Sequence, residues 1–178
     1  MELSDEIRGK RLSLRTVRED DVGDAYVRWM NDPDVVRYTE SRFAVHTADE
    51  LRRYVAAVRH DPDALFLAMI ADGGRHIGNI KLGPIDRVHA TADVGLLIGE
   101  KDWWGKGCAA EAIGLVSDHA FGALGIEKLT AGVYAPNIGC IKAFERAGFA
   151  REGVQRGRAR FEGKRIDVIL VGKLKAAA

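Results

Sequence analysis

The sequence predicts a single α+β domain with a mixed, mostly antiparallel sheet and helices on both of its faces. Strand-like runs follow one another through the middle of the chain, and amphipathic helical patterns both precede and follow them. The predicted order is β-α-α-β-β-β-α-β-α-β-β, which differs from the strict alternation of a doubly wound protein. We expect one domain over residues 1–178, because no stretch rich in Pro, Ser or charge divides the chain.

The first predicted elements are a strand and a helix. Residues 11–16 alternate polar and apolar side chains, as a half-buried strand does. Thr16 and Glu19 have the spacing of a capping box, and the apolar side chains between residues 22 and 30 recur on one helical face. A helix is therefore expected to start directly after this strand.

The same pattern returns at Thr47 and Glu50, which predicts a second amphipathic helix that ends at Asp61. The period then changes to short apolar or alternating runs with turn residues between them, which indicates an antiparallel meander. These runs are residues 65–71, 76–82 and 93–98.

Helical spacing resumes after Gly107 and continues to Leu124, and residues 128–134 again have the pattern of a strand. Asn137 is a candidate N-cap for a short helix that Gly148 would end. Two strand-like runs close the chain.

Composition excludes several classes of function. The chain has 27 Lys and Arg against 26 Asp and Glu, so its net charge of +1 gives no reason to expect nucleic acid. Two cysteines are too few for a disulfide framework, and we expect a cytoplasmic protein without a membrane segment. The five histidines show no ligand spacing, so no metal is expected.

The segment WWGKGCAAEA, residues 103–112, lies between a predicted strand and a long helix. Glycines there allow positive φ angles, and the free amides of a first helical turn bind anions such as pyrophosphate. A plain tight turn remains the alternative. Gly105 and Gly107 give GxG, but Ala110 stands at the third glycine position, and a Walker motif is absent. Nucleotide hydrolysis and hydride transfer therefore lose support.

This loop and several further motifs occur in the order found in a known family. The chain therefore resembles the GNAT superfamily of acetyl-CoA-dependent N-acetyltransferases, in particular its RimJ/RimL-like branch. The family's pyrophosphate loop, Gln/Arg-x-x-Gly-x-Gly/Ala, is matched from Trp104 to Ala109, although the first position departs from Gln or Arg. The other matching segments are WMNDP from Trp29, IGNI from Ile77, YAPNIGC from Tyr134, KAFERAGF from Lys142 and EG at Glu152.

This resemblance implies a GNAT-like fold, acetyl-CoA as co-substrate and a set of residues that bind it. The strand before the loop would pair with the pantetheine arm, and the loop amides would hold the pyrophosphate. The implied cofactor-binding residues are Leu97, Ile98, Gly99, Trp104, Gly105, Lys106, Gly107, Cys108, Ala109, Asn137, Lys142 and Phe144.

Three residues are candidates for catalysis. Asp93 lies where several family members resemble one another in carrying a catalytic glutamate; a structural carboxylate is the alternative. Tyr134 and Cys140 are candidate acids for the departing thiolate, since their ordinary pKa values lie near 10 and 8.5. Cys140 is also explained as a small buried helix residue.

The acceptor implied by the resemblance is a primary amine, and the branch favours the α-amine of a protein or peptide. Nucleotide-linked amino sugars, polyamines and antibiotic amines stay open, as does an acyl-CoA sensor without turnover. Arg156, Arg158 and Arg160 would suit an anionic acceptor, and a homodimer is compatible with the sequence. The candidate acceptor-site residues are Tyr38, Phe43, Asn79 and His89.

Overall fold

A computed structural model describes residues 1–176 of the chain. Its strands form a mixed sheet in the order β1-β2-β3-β4-β5-β6-β8-β7. They are β1 (Ile7–Arg8), β2 (Leu12–Thr16), β3 (Leu65–Ala71), β4 (Arg75–Asp86), β5 (Thr91–Ile98), β6 (Lys128–Tyr134), β7 (Ala150–Phe161) and β8 (Lys164–Leu174). The helices are α1 (Asp24–Asn31), α2 (Ala48–His60), α3 (Cys108–Ala123) and α4 (Ile138–Arg146).

Helices cover both faces of the sheet, because the side chains of β3 are buried on both faces and alternate between two clusters. Leu65, Leu67 and Met69 belong to the core beneath α3 and α4. Phe66 and Ala68 belong to a second cluster with residues of α1 and α2. The predicted α+β architecture and the order of its main elements are thus confirmed.

Local sequence signals position most helix ends correctly. The Thr47 hydroxyl accepts from the Glu50 amide at 3.3 Å, and the Glu50 carboxylate accepts from the Thr47 amide at 2.9 Å, so the predicted capping box forms. Asn137 caps α4 by accepting from the amide of Cys140 at 3.2 Å.

Two predictions about the N-terminal region are wrong. The predicted order omits a short strand, β1, which precedes and pairs with β2, the first strand that the sequence predicts. The capping box at Thr16 and Glu19 does not form, because the Thr16 hydroxyl accepts from the Leu3 amide and Glu19 forms an ion pair with Arg59. The first α-helix therefore begins later, after Gly23.

Candidate active site

The candidate site is a cleft that forms where two neighbouring strands stop pairing. Strands β5 and β6 are parallel, and their paired residues run only from Thr91 to Asp93 on β5. Beyond Asp93, the edge of β5 from Val94 to Ile98 borders a cavity of about 680 Å³ instead. Val133 and Tyr134 at the end of β6 line its other side.

One end of this cavity is closed by the glycine loop and the start of α3. Gly105 and Gly107 have φ angles of 73° and 84°, and α3 begins at Cys108. A Cβ on either glycine would meet no described atom within 4 Å, so the positive φ angles, and not crowding, require glycine here. The free amides of the first turn of α3 lie beside the cavity and can bind an anion there.

The exposed edge of β5 offers main-chain hydrogen-bonding groups to the same cavity. The carbonyl of Ile98 accepts a hydrogen bond of 2.9 Å from the Trp104 indole, on the side away from β4. Alternate residues of a strand direct their main-chain groups to the same side, so those of Leu96 also face the cavity. This edge can pair with an extended amide-containing ligand.

The wall opposite β5 is formed by one face of α4. Gly139, Cys140, Lys142, Ala143 and Arg146 line the cavity at helical spacing, together with the buried ring of Phe144. Burial raises the pKa of the Cys140 thiol to about 11, so this thiol is neutral at physiological pH. Such a group is a poor nucleophile.

Tyr134 ends β6 and lines the cavity, and it is held by two residues of the segment between α1 and α2. Its hydroxyl donates to the carboxylate of Glu40 and accepts from Arg42 at 3.3 Å. Burial, and then the hydrogen bond to Glu40, raise the pKa of the Tyr134 phenol. The phenol is therefore protonated at neutral pH and able to donate a proton.

The structure brings most of the predicted cofactor and acid residues together at this cavity. The sequence-predicted residues that line it are Tyr38, Leu97, Ile98, Trp104, Gly105, Gly107, Cys108, Ala109, Tyr134, Asn137, Cys140, Lys142 and Phe144. Lys106 belongs to the loop, but its ammonium lies 5.0 Å from the ring centre of Trp103 and outside the lining.

Asp93 is not brought into the cavity. Its carboxylate accepts from the Thr130 hydroxyl and lines a separate shallow groove with Asp63 and Arg87. Asp93 is the partner of Thr130, and Tyr134 lies four residues further along β6, which corresponds to about 13 Å. The geometry therefore does not support direct proton transfer to Asp93 from an amine beside Tyr134.

Four other predicted residues also lie outside the lining of this cavity within residues 1–176. Gly99 packs against the Trp29 indole, and Asn79 is buried, with its side-chain oxygen 2.9 Å from the ring nitrogen of His76. His89 is exposed in the turn before β5, at the far end of that strand, and Phe43 is 69% exposed beneath Arg42.

Sequence reasoning missed several polar residues at the cavity. Arg146 follows Lys142 by one helical turn, and this spacing was a signal that could have identified it. Arg37 lines the cavity, while Glu40 and Arg42 contact Tyr134 from a short 3₁₀ turn, Glu40–Phe43, that has no local periodicity. No sequence pattern connects these residues with Tyr134.

Two further properties concern metals and membranes. Within the described residues, no three His, Cys, Asp or Glu side chains are grouped to hold a metal ion. None of the helices formed by residues 1–176 has the length and apolar character that crossing a bilayer requires.

Comparisons with known proteins agree with this geometry. The family described as acetyltransferase (GNAT) domain matches residues 11–150. The chain is 27% identical to the uncharacterized N-acetyltransferase p20 of Bacillus licheniformis, over 93% of this chain and 94% of that protein.

Solved structures share the fold. Spermidine N-acetyltransferase from Vibrio cholerae in complex with CoA and spermine has a TM-score of 0.84 and 23% identity, over 93% of this chain and 96% of that one. RimJ of Mycobacterium smegmatis in complex with CoA-disulfide has a TM-score of 0.83 and 19% identity, over 96% of this chain and 87% of that one. At these identities, the likeness concerns the fold alone.

Proposed function

Since this chain belongs to the acetyltransferase (GNAT) family, we propose that it transfers the acetyl group of acetyl-CoA to the α-amine of a protein or peptide. Its class, N-acetyltransferase, follows from the family. Acetyl-CoA as its donor, the acceptor and the roles of individual residues are parts of the proposal, as is membership of the RimJ/RimL-like branch.

One observation carries the proposal: an unpaired strand edge and the amides of a helix start face the same cavity. The edge at Leu96 and Ile98 suits the amides of a pantetheine arm, and the start of α3 suits a pyrophosphate. Lys142 and Arg146 add two positive charges to the α4 wall. This combination of groups suits the pantetheine arm and the pyrophosphate of acetyl-CoA.

Bound acetyl-CoA supplies an activated thioester, and the protein has to transfer the protons that the acceptor amine loses. The acceptor arrives as an ammonium ion, because an α-amine has a pKa of about 8. It loses two protons overall as the amide forms. One proton reaches the departing thiolate and the other reaches solvent.

Tyr134 has the properties of the acid that protonates the thiolate. It lines the cavity, and its raised pKa keeps the phenol protonated at neutral pH. Glu40 accepts a hydrogen bond from that phenol and fixes its position, and the amine returns a proton to Tyr134 as the amide forms. Cys140, with its thiol pKa of about 11, is assigned as a wall of the thioester site.

In this proposal the acceptor end is the part of the cavity beside Tyr134, and it carries charge of both signs. Arg37 lines the cavity and pairs with Glu162. Arg42, whose side chain is 15% exposed, contacts Tyr134 and pairs with Glu40. The two guanidinium groups can contact the phosphates of a nucleotide-linked amino sugar, which is therefore the second candidate acceptor.

The test is a measurement of CoA release with four acceptors: a peptide with a free α-amine, the same peptide blocked at that amine, spermidine and a nucleotide-linked amino sugar. We expect acetylation of the free peptide and none of the blocked one. Turnover with the sugar alone would support the second candidate. Binding of acetyl-CoA without CoA release from any amine would identify a sensor domain.

A further inference from the structure

The last two strands project beyond the sheet as a two-stranded arm, defined here as residues 156–167. Strand β8 pairs with β6 only from Val168 onwards. The pairing of β7 with β8 continues past this point to Phe161 and Lys164. Because β7 is also the last strand of the sheet, the outer edge of the arm has no partner strand among residues 1–176.

This arm concentrates positive charge in a nearly neutral protein. It holds five cationic and two acidic residues, whereas the whole chain has a net charge of +1. Both acids are engaged: Glu162 pairs with Arg37 at 2.8 Å, and Asp167 accepts from the Gly157 amide at 2.8 Å. Within the part of the chain that the structure describes, the five cations form no ion pair; they are Arg156, Arg158, Arg160, Lys164 and Arg165.

The arrangement of these cations does not serve folding. Arg160 is the direct cross-strand partner of Arg165, and like charges in that relationship are destabilising. Arg158 precedes Arg160 by two residues and so lies on the same face of the strand. A site of such repulsion is stabilised when an anion binds to it.

The arm is fixed beside the acceptor end of the cavity. The ring of Phe161 stacks on Tyr38, a cavity residue, with 5.3 Å between ring centres. Arg42 donates to the carbonyl of Arg160 at 3.1 Å and also contacts Tyr134. A chain bound along the arm can therefore deliver its end to the cavity.

We infer that the arm binds an extended, acidic segment of the acceptor, next to the amine that is acetylated. This inference rests on the proposed function and narrows it to acceptors with acidic residues after the amine. An open strand edge accepts an extended peptide by strand addition, and arginines at alternate positions match its alternate side chains. Nucleic acid fits less well, since the aromatic ring of the arm, Phe161, is stacked against Tyr38 and Arg37.

The length of the arm indicates which positions of the acceptor it contacts. Arg158 lies three residues from Phe161, or about 10 Å along the strand. With the amine in the cavity, the acidic side chains fall at roughly the third to sixth residues of the peptide.

The experiment compares three peptides that share their first two residues and differ at positions three and five, which carry Asp, Asn or Lys. We expect kcat/KM from CoA release to be about tenfold higher for the Asp peptide than for the Asn peptide at low salt, and lowest for the Lys peptide. The difference should shrink in 0.5 M salt, as expected for exposed charges.

A double variant, Arg158→Gln with Arg160→Gln, should bring the Asp-to-Asn ratio of kcat/KM close to one. Arg151→Gln is the matched control, because Arg151 lies on the same strand outside the arm and pairs with Glu145. It should keep the wild-type ratio.

The experiment distinguishes a failure of this inference from a failure of the proposed function. Equal kcat/KM for all three peptides would overturn the inference about the arm and leave unchanged the proposal that the acceptor is a peptide. Turnover of an amino sugar or polyamine without turnover of any peptide would overturn both. Tighter binding of a short single-stranded DNA than of the Asp peptide, lost in the double variant, would assign the arm to nucleic acid and overturn the inference.

Discussion

Trp104 donates its indole N–H to the main-chain carbonyl of Ile98 at 2.9 Å. This bond joins Trp104, at the start of the glycine loop, to Ile98, the last residue of β5, so the free amides of α3 and the open strand edge are held together. The Trp104 ring is 43% exposed beside the cavity. Trp104, which stands where the family prefers Gln or Arg, thus has a defined structural role.

Replacement of Trp104 by Phe tests this role. The variant keeps an aromatic ring but loses a hydrogen bond worth about 1 kcal/mol, so we expect an increase of roughly fivefold in KM for acetyl-CoA with little change in kcat. Steady-state kinetics at saturating acceptor measure both. An unchanged KM would show that the Trp104–Ile98 bond does not organise the donor site.

Gly107→Ala should weaken acetyl-CoA binding more strongly. Alanine at a φ of 84° costs about 1–2 kcal/mol, and it will distort the turn that presents the α3 amides. We expect Kd for acetyl-CoA to rise at least tenfold by calorimetry. Gly114→Ala, inside α3 and with no neighbour within 4 Å of its Cβ, is the matched control and should bind normally.

Tyr134→Phe should lower kcat by about 100-fold, the usual size of a general acid contribution. In the wild type, the raised pKa of the phenol means that activity falls through loss of this proton only above the ordinary tyrosine pKa of about 10. The variant should lack that alkaline decline. Tyr54→Phe, on α2, serves as control, and a Tyr134→Phe enzyme with wild-type kcat would remove the acid from the proposal.

Two carboxylates can be compared for their effect on turnover. Asp93→Asn should keep kcat/KM within about twofold, because Asp93 is bonded to Thr130 outside the cavity. Glu40→Gln should reduce kcat roughly tenfold, since it removes the carboxylate that contacts Tyr134. A larger loss of activity in Asp93→Asn than in Glu40→Gln across the pH range would support the base role that the resemblance implied for Asp93.

His76 makes stability depend on pH. Burial lowers the pKa of this ring, so the unfolded chain binds more protons below about pH 6.5 and the free energy of unfolding decreases as the pH falls through that value. Urea unfolding between pH 8 and 5 should show a shallower dependence for His76→Gln. His119, whose pKa burial also lowers, should retain part of the slope. A pH dependence in His76→Gln equal to that of the wild type would contradict this role.

The parts of the fold that sequence predicted correctly depend on neighbours along the chain. Thr47 and Glu50 form their capping box because both partners lie within one helical turn. The same spacing at Thr16 and Glu19 failed, because Leu3 and Arg59 offered both side chains tertiary partners. Local pattern predicts an element, but competing distant contacts decide its exact start.

The candidate site divides in the same way. The positive-φ glycine loop and the Asn137 cap were predicted because each belongs to a strand-to-helix junction that is local in sequence. Glu40 and Arg42 were missed because each meets Tyr134 across more than ninety residues of chain. Asp93 was predicted from its place on the strand. The structure shows that the pairing of β5 with β6 ends at Asp93 and that the cavity begins one residue later, at Val94.

Hydrogen–deuterium exchange with and without CoA tests the central claim most directly. We expect slower exchange at the Leu96 amide on the open edge of β5 and at the amides of residues 108–110 in the first turn of α3. Both regions should respond together in the wild type and neither in Gly107→Ala at the same CoA concentration. Protection confined to other surfaces, such as the groove around Asp93, or no protection at millimolar CoA, would contradict the account.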